Sequence, residues 1–282
     1  MARLDPDWLD RQYNNRARIP EHPMIFDRWT RASALARDSM SRRLDVAYGS
    51  GPDETLDIFP TTRAAAPVLV FIHGGWWRAL DKRDLSFVAP AFVHAGAMVV
   101  VPNYSLCPKV GIEDIALQMT RALAWTFRHA ALYGGDPRRI VVAGHSAGGH
   151  LAAMLLSCDW TAVGKDLPRD LVNKALAISG VFDLEPLRQT PFLQPDLKLT
   201  PTSVRRLSPA YFDPPRGTLY AVDGANESEE FHRHVALIRE RWGERAVPVA
   251  ESLPGLNHLD VLHDLVDASS RLNALARELL GA

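Results

Sequence analysis

The chain has 282 residues, 47% hydrophobic and 23% charged, with 32 Lys+Arg against 33 Asp+Glu. That length allows one large domain or two small ones and can bury a core without disulfides or metals. A net charge of −1 argues against nucleic acid or an anionic membrane surface as the main partner, and no apolar run approaches the roughly 20 residues needed to span a bilayer.

The first residues, Met1-Ala2-Arg3-Leu4-Asp5-Pro6-Asp7-Trp8, carry acidic groups where a secretory signal carries an apolar stretch. Residues 1–42 are polar with scattered aromatics (Trp8, Tyr13, Phe26, Trp29) and read as an arm of short helices packed on another part of the chain. Two alternating runs, 44–48 and 56–59, flank Ser50-Gly51-Pro52 and predict an antiparallel hairpin. Continuous apolar runs follow at 68–72, 97–101, 140–143, 176–178, 219–222 and 247–249. Such runs suit a parallel sheet covered on both faces. Helix-period stretches at 112–133, 149–157, 229–242 and 260–280 separate or follow them. The alternation predicts a single α/β domain over 1–282, with a mostly parallel, doubly wound sheet. One segment, 181–216, holds seven prolines and no strand pattern. It reads as a small cap which, with the arm, covers one end of the sheet. Cys107 and Cys158 are too few for a disulfide framework and read as reduced thiols of a cytoplasmic protein.

Chemistry concentrates in two motifs. Gly144-His145-Ser146-Ala147-Gly148 lies between an apolar strand and a helix, the setting of a nucleophile elbow. Ser146 is the expected nucleophile. His73-Gly74-Gly75-Trp76-Trp77 ends the earlier strand 68–72. Its glycines let backbone N–H groups approach a developing oxyanion, so Gly75, Trp76 and Ala147 are the expected donors. Trp76 and Trp77 are expected substrate-binding walls, and His73 is expected to brace the loop.

A serine needs a histidine base and an orienting carboxylate, here in the order Ser, acid, His. Of the ten histidines, five precede Ser146 and His150 lies in its helix. His232 and His234 fall on an expected solvated helix face. That leaves His258, in the turn-rich loop Leu253-Pro254-Gly255-Leu256-Asn257-His258, over His263, which comes after the last helix has begun. For the acid, Glu227 lies beyond the turn glycine after strand 219–222 and is preferred to Asp223 at the strand end. Asp183 is a third candidate. There is no metal-ligand cluster, phosphate loop or dinucleotide fingerprint, so no metal and no cofactor are expected.

These motifs identify the chain as similar to the α/β-hydrolase superfamily. More narrowly, it resembles the kynurenine formamidase (arylformamidase) branch. The resembling pieces are Leu9-Asp10-Arg11-Gln12-Tyr13-Asn14-Asn15, His73-Gly74-Gly75-Trp76-Trp77, Pro102-Asn103-Tyr104-Ser105-Leu106, the elbow, Glu227-Ser228-Glu229-Glu230-Phe231 and Pro254-Gly255-Leu256-Asn257-His258. In eukaryotic members of the branch the acid is an aspartate; Glu227 occupies that position here. The resemblance implies hydrolysis of N-formyl-kynurenine to formate and kynurenine, a step of tryptophan breakdown, with Ser146, Glu227 and His258 as triad. A carboxylesterase for short aryl or acyl esters is the alternative, and a silent ligand-binding module a third reading. The implied partner is a small aryl amide or ester; a homodimer is the assembly to test for.

Overall fold

The computed structural model describes residues 4–281; residues 1–3 of the expected arm and residue 282 lie outside the described residues. Eight strands form one sheet: β1 Arg43–Ala47, β2 Thr55–Phe59, β3 Ala66–Ile72, β4 Met98–Pro102, β5 Gly135–His145, β6 Lys174–Ile178, β7 Thr218–Gly224 and β8 Val249–Leu253. Their order is β1-β2-β4-β3-β5-β6-β7-β8. The β1–β2 and β2–β4 pairs are antiparallel and the rest parallel. This is the expected mostly parallel sheet with an antiparallel hairpin at one edge.

The uniform apolar runs follow from burial on both sides. Successive side chains of a strand point to opposite faces. In β3, Val68, Val70 and Ile72 enter one core while Leu69 and Phe71 enter the other. The same split holds for Met98/Val99 in β4, Val142/Val141 in β5, Ala177/Leu176 in β6 and Ala221/Val222 in β7. Helices Ile112–His129, Ala147–Leu156 and Glu229–Ala246 cover the first face. Helices His22–Ser39, Ala89–His94, Val261–Val266 and Arg271–Leu280 cover the second.

The N-terminal residues divide between these faces. Leu9 and Tyr13, on helix Pro6–Tyr13, join the first core, whereas Ile25 and Trp29, on the 18-residue helix His22–Ser39, join the second. The chain therefore passes around the sheet between the two helices. A buried ion cluster ties the longer helix to the hairpin. Lys82 Nζ reaches Asp57 at 2.8 Å, and Arg37 pairs with the same carboxylate. Segment 181–216 holds helices Glu185–Gln189, Gln194–Leu197 and Pro201–Leu207, a 3₁₀ turn Pro209–Tyr211 and no strand.

Several boundaries differ from expectation, β5 starting at Gly135, five residues before the apolar run 140–143. The last strand begins at Val249, not Val247, because the preceding helix runs on to Ala246 through a break at Gly243 (φ 78°). This edge strand is largely half-exposed and lacks the uniform apolar signature. The terminal stretch splits into two helices at Asp267, where the Ser270 side chain caps the second one. The stretch 112–133 ends its α-helix at His129 and finishes as a 3₁₀ turn.

Candidate active site

β5 ends at His145 and a helix starts at Ala147, leaving Ser146 alone at the turn with φ 56° and ψ −117°. That is a costly backbone state for a non-glycine residue. It is held because the Ser146 N–H donates to the Ile178 carbonyl at the end of β6, at 2.8 Å. The turn closes only with glycines on either side. A Cβ on Gly144 would lie 2.2 Å from the Gly148 carbonyl oxygen, and one on Gly148 would lie 2.1 Å from that of Ile72. The Ala147 N–H belongs to the first helical turn, where amides have no intrahelical partner and the dipole favours negative charge.

The His73 loop presses against this turn, since a Cβ on Gly74 would lie 3.1 Å from that of Ser146. Gly75, Trp76 and Trp77 take φ 95°, 53° and 54°, three successive left-handed residues. The loop is braced from behind. The Tyr104 hydroxyl bonds the carbonyls of His73 and Gly74 at 3.0 and 3.1 Å, and its ring stacks on His73 at 4.0 Å. The His73 Nδ1–H donates to the Gly74 carbonyl at 2.9 Å, and burial lowers its pKa to about 4. This ring stays neutral and braces the loop, as expected.

The His258 Nδ1–H donates to Glu227 Oε2 at 2.6 Å. The other oxygen, Oε1, accepts from Ser179 Oγ at 2.5 Å and from the Gly224 N–H at 2.8 Å. Three donors thus hold the carboxylate, and Nε2 of His258 is left to exchange a proton. The rival acids are engaged elsewhere. Asp223 faces His232 at 2.7 Å, and Asp183 accepts from the Tyr211 hydroxyl at 2.8 Å. His263 is half-exposed beside Asp260 and Arg28.

Two expectations need correction. His234 is not solvated but fully buried. Its Nδ1 accepts from the Phe182 N–H and its Nε2 bonds the Tyr13 hydroxyl, each at 3.2 Å. Helix Glu229–Ala246 carries it because that helix is covered on its polar side by Tyr13 and by segment 181–216. Trp77 is likewise fully buried and is not a wall of the cavity. Its indole turns into the first core and meets His150 edge-on at 5.0 Å.

Ser146 and His258 line a cavity of about 420 Å³ together with Gly75, Trp76 and His145. Further walls come from the arm and from the cap segment, which the sequence places over this end of the sheet without assigning individual residues to the cavity. Asn14, Asn15, Phe26 and Trp29 come from the N-terminal residues, and Phe192 and Asp196 from segment 181–216. No hydrogen bond joins Ser146 Oγ to His258 among the described residues; such contacts commonly tighten only around substrate. His145 supports the base from the far side. Its Nε2–H donates to the His258 carbonyl at 2.7 Å, and burial, then the neighbouring His258, keeps its pKa well below the usual value. Ser179 had a usable signal, since it follows β6 at the sheet edge where ligands gather. A side-chain bond from a long-range partner, as for His145, leaves no such trace.

The BD-FAE family profile matches residues 56–188, a span that contains both motifs. A kynurenine formamidase of Salmo salar is 30% identical over 258 residues, covering 87% of this chain and 84% of that protein. One from Danio rerio is 29% identical over 99% of this chain and 97% of its own length. A solved structure of a candidate thioesterase from Silicibacter sp. tm1040 superposes with a TM-score of 0.83 at 29% identity, covering 97% of this chain and 99% of that one. The chain belongs to the kynurenine formamidase family of α/β-hydrolase enzymes.

Proposed function

We propose that the protein is a cytoplasmic serine hydrolase that cleaves N-formyl-kynurenine to kynurenine and formate. The observation that carries the reading is the Glu227–His258 pair, bonded at 2.6 Å beside a serine held at a strained turn. Among the described residues no helix is long and apolar enough to cross a membrane.

Ser146 Oγ attacks the formyl carbon while His258 Nε2 takes its proton. The oxyanion is met by N–H groups of Gly75, Trp76 and Ala147, in positions fixed before the reaction. Collapse breaks the C–N bond, and His258 returns the proton to the leaving arylamine nitrogen. Water then attacks the formyl-serine, again giving a proton to His258. Formate departs and Ser146 recovers its proton. Glu227 holds the tautomer with hydrogen on Nδ1 and balances the imidazolium.

Residues 4–42 and 181–216 act as a cap that receives the aryl group and excludes water. A formyl group needs almost no acyl pocket. Trp76 lies beside the oxyanion loop, with Tyr13 edge-on at 5.8 Å, and narrows that side. Steady-state kinetics on N-formyl-kynurenine, set beside aryl esters of increasing acyl length, tests the reading. Efficient formamide turnover and a decline from short to long acyl chains support it. An optimum at six or more carbons overturns it in favour of a general carboxylesterase.

A further inference from the structure

The cavity wall away from the serine carries three ionised side chains, Arg16, Arg78 and Asp196. Two of them neutralise each other, because Arg78 pairs with Asp196 and donates to the Phe192 carbonyl at 3.0 Å. Arg16 has no carboxylate partner among the described residues. Its guanidinium lies 5.6 Å above the Phe26 ring. Phe26 meets Trp29 at 5.2 Å, and Trp29 meets His145, the neighbour of Ser146, at 6.5 Å. An aromatic wall therefore leads from the nucleophile to a single uncompensated cation.

We infer that Arg16 forms an anion subsite that reads a carboxylate on the leaving group. The wall, whose rings meet edge-on, accepts an aryl ring, and the cation beyond it accepts a negative charge carried by that ring's substituent. An arginine held over an aromatic face keeps its N–H groups in the ring plane free for a carboxylate. Glu227 does not oppose this, since it sits behind His258 and is 8% exposed. The inference rests on the proposed function for its natural ligand, because kynurenine leaves with an amino-acid carboxylate. It extends that reading by assigning the recognition to one arm residue.

The test compares two esters with the same acetyl group, phenyl acetate and 3-acetoxybenzoate. The wild-type protein should prefer the carboxylate ester, and the preference should shrink as salt is raised from low to physiological strength. Arg16→Gln should lower the ratio of the two kcat/KM values about twofold to fivefold, the range of an exposed ion pair. Arg16→Lys should retain most of the preference. A ratio unchanged in Arg16→Gln, or an equal loss on both esters, overturns the subsite. The ester pair also separates this inference from the proposed function. A preference lost in Arg16→Gln without turnover of N-formyl-kynurenine would sustain the subsite and sink the formamidase reading. Turnover of N-formyl-kynurenine with no carboxylate preference would do the reverse.

Discussion

The floor and the cap of the cavity are built on different principles. The floor consists of strand ends and the turns that leave them: Ser146 after β5, Ser179 after β6, and Glu227 and His258 in the loops after β7 and β8. It is held by backbone groups, by turns so tight that a Cβ on Gly144 or Gly148 would meet backbone oxygen at 2.1–2.2 Å, and by hydrogen bonds that terminate on main chain or on Glu227. The cap is held by side chains from distant parts of the sequence. The Tyr13 hydroxyl donates to Glu230, and the Ser228 hydroxyl donates to the Gln12 carbonyl at 2.7 Å. The Arg233 guanidinium grips Glu230 with two bonds of 2.8 Å. The two parts meet through an aromatic relay, Tyr13 to Phe231 at 6.2 Å and Phe231 to His258 at 4.5 Å. In the proposed mechanism, backbone places the reacting groups and side chains of the cap place the substrate.

The comparison breaks if the floor does not carry the reaction. Ser146→Ala should cut kcat by at least about 10⁴-fold with an unchanged denaturation midpoint, because its hydroxyl makes no hydrogen bond among the described residues and the loss leaves only a methyl-sized change. Residual turnover above a tenth of wild type would place the nucleophile elsewhere. Next in size, Glu227→Gln should lower kcat about 10³–10⁴-fold, as expected when the tautomer and the charge balance are lost together. Asp223→Asn should cost far less, since its carboxylate faces His232. The reverse ranking in steady-state assays would make Asp223 the acid.

A third test concerns the buried neutral histidines of the floor and its junction with the cap. His73 and His150 are pushed down to about 4 by burial, and burial holds His145 and His234 well below the ordinary value. A depressed folded-state value means that the unfolded chain binds protons first. Stability from these rings is therefore fully present above about pH 6.5 and lost as pH falls, for His73 and His150 as it nears about 4. Urea denaturation at pH 7, 6 and 5 should show a steep loss; a flat profile would mean that these rings are not buried as neutral groups.

The smallest effect isolates the cap. Tyr13→Phe removes one hydroxyl from the Glu230–His234 junction and leaves the floor untouched. KM for an aryl substrate should rise severalfold with kcat nearly constant. A fall in kcat with KM unchanged would mean that the arm acts on the triad through Phe231 and is not merely a binding wall.

The floor was legible from the sequence because its constraints are local. A tight turn between a strand and a helix demands Gly-x-Ser-x-Gly. An oxyanion loop demands glycines after a strand, and chain order narrows base and acid to a few loop residues. Uniform apolar runs announced strands buried on both faces, and only β8, half-exposed at the edge, was displaced. The cap was not legible in that way. His234 looked solvated because helical spacing reports which residues share a face, not what later covers that face. Trp77 looked like a wall because adjacent residues share a motif, yet consecutive left-handed residues send its ring into the core and leave only Trp76 at the cavity.

The sequence by itself determined the sheet, the Gly-x-Ser-x-Gly turn, the His-Gly-Gly loop and the short set of residues from which the proposed base and acid are drawn. Neighbours in the chain impose these through sterics and hydrogen-bond geometry. Tertiary structure alone decided that Glu227, not Asp223, faces His258, that His145 bonds the His258 carbonyl, and that Asn14, Phe26, Trp29 and Asp196 wall one cavity. Each of those contacts joins residues far apart in the chain. It exists because both sheet faces must be covered at once, and the arm reaches the site only by passing from one covered face to the other.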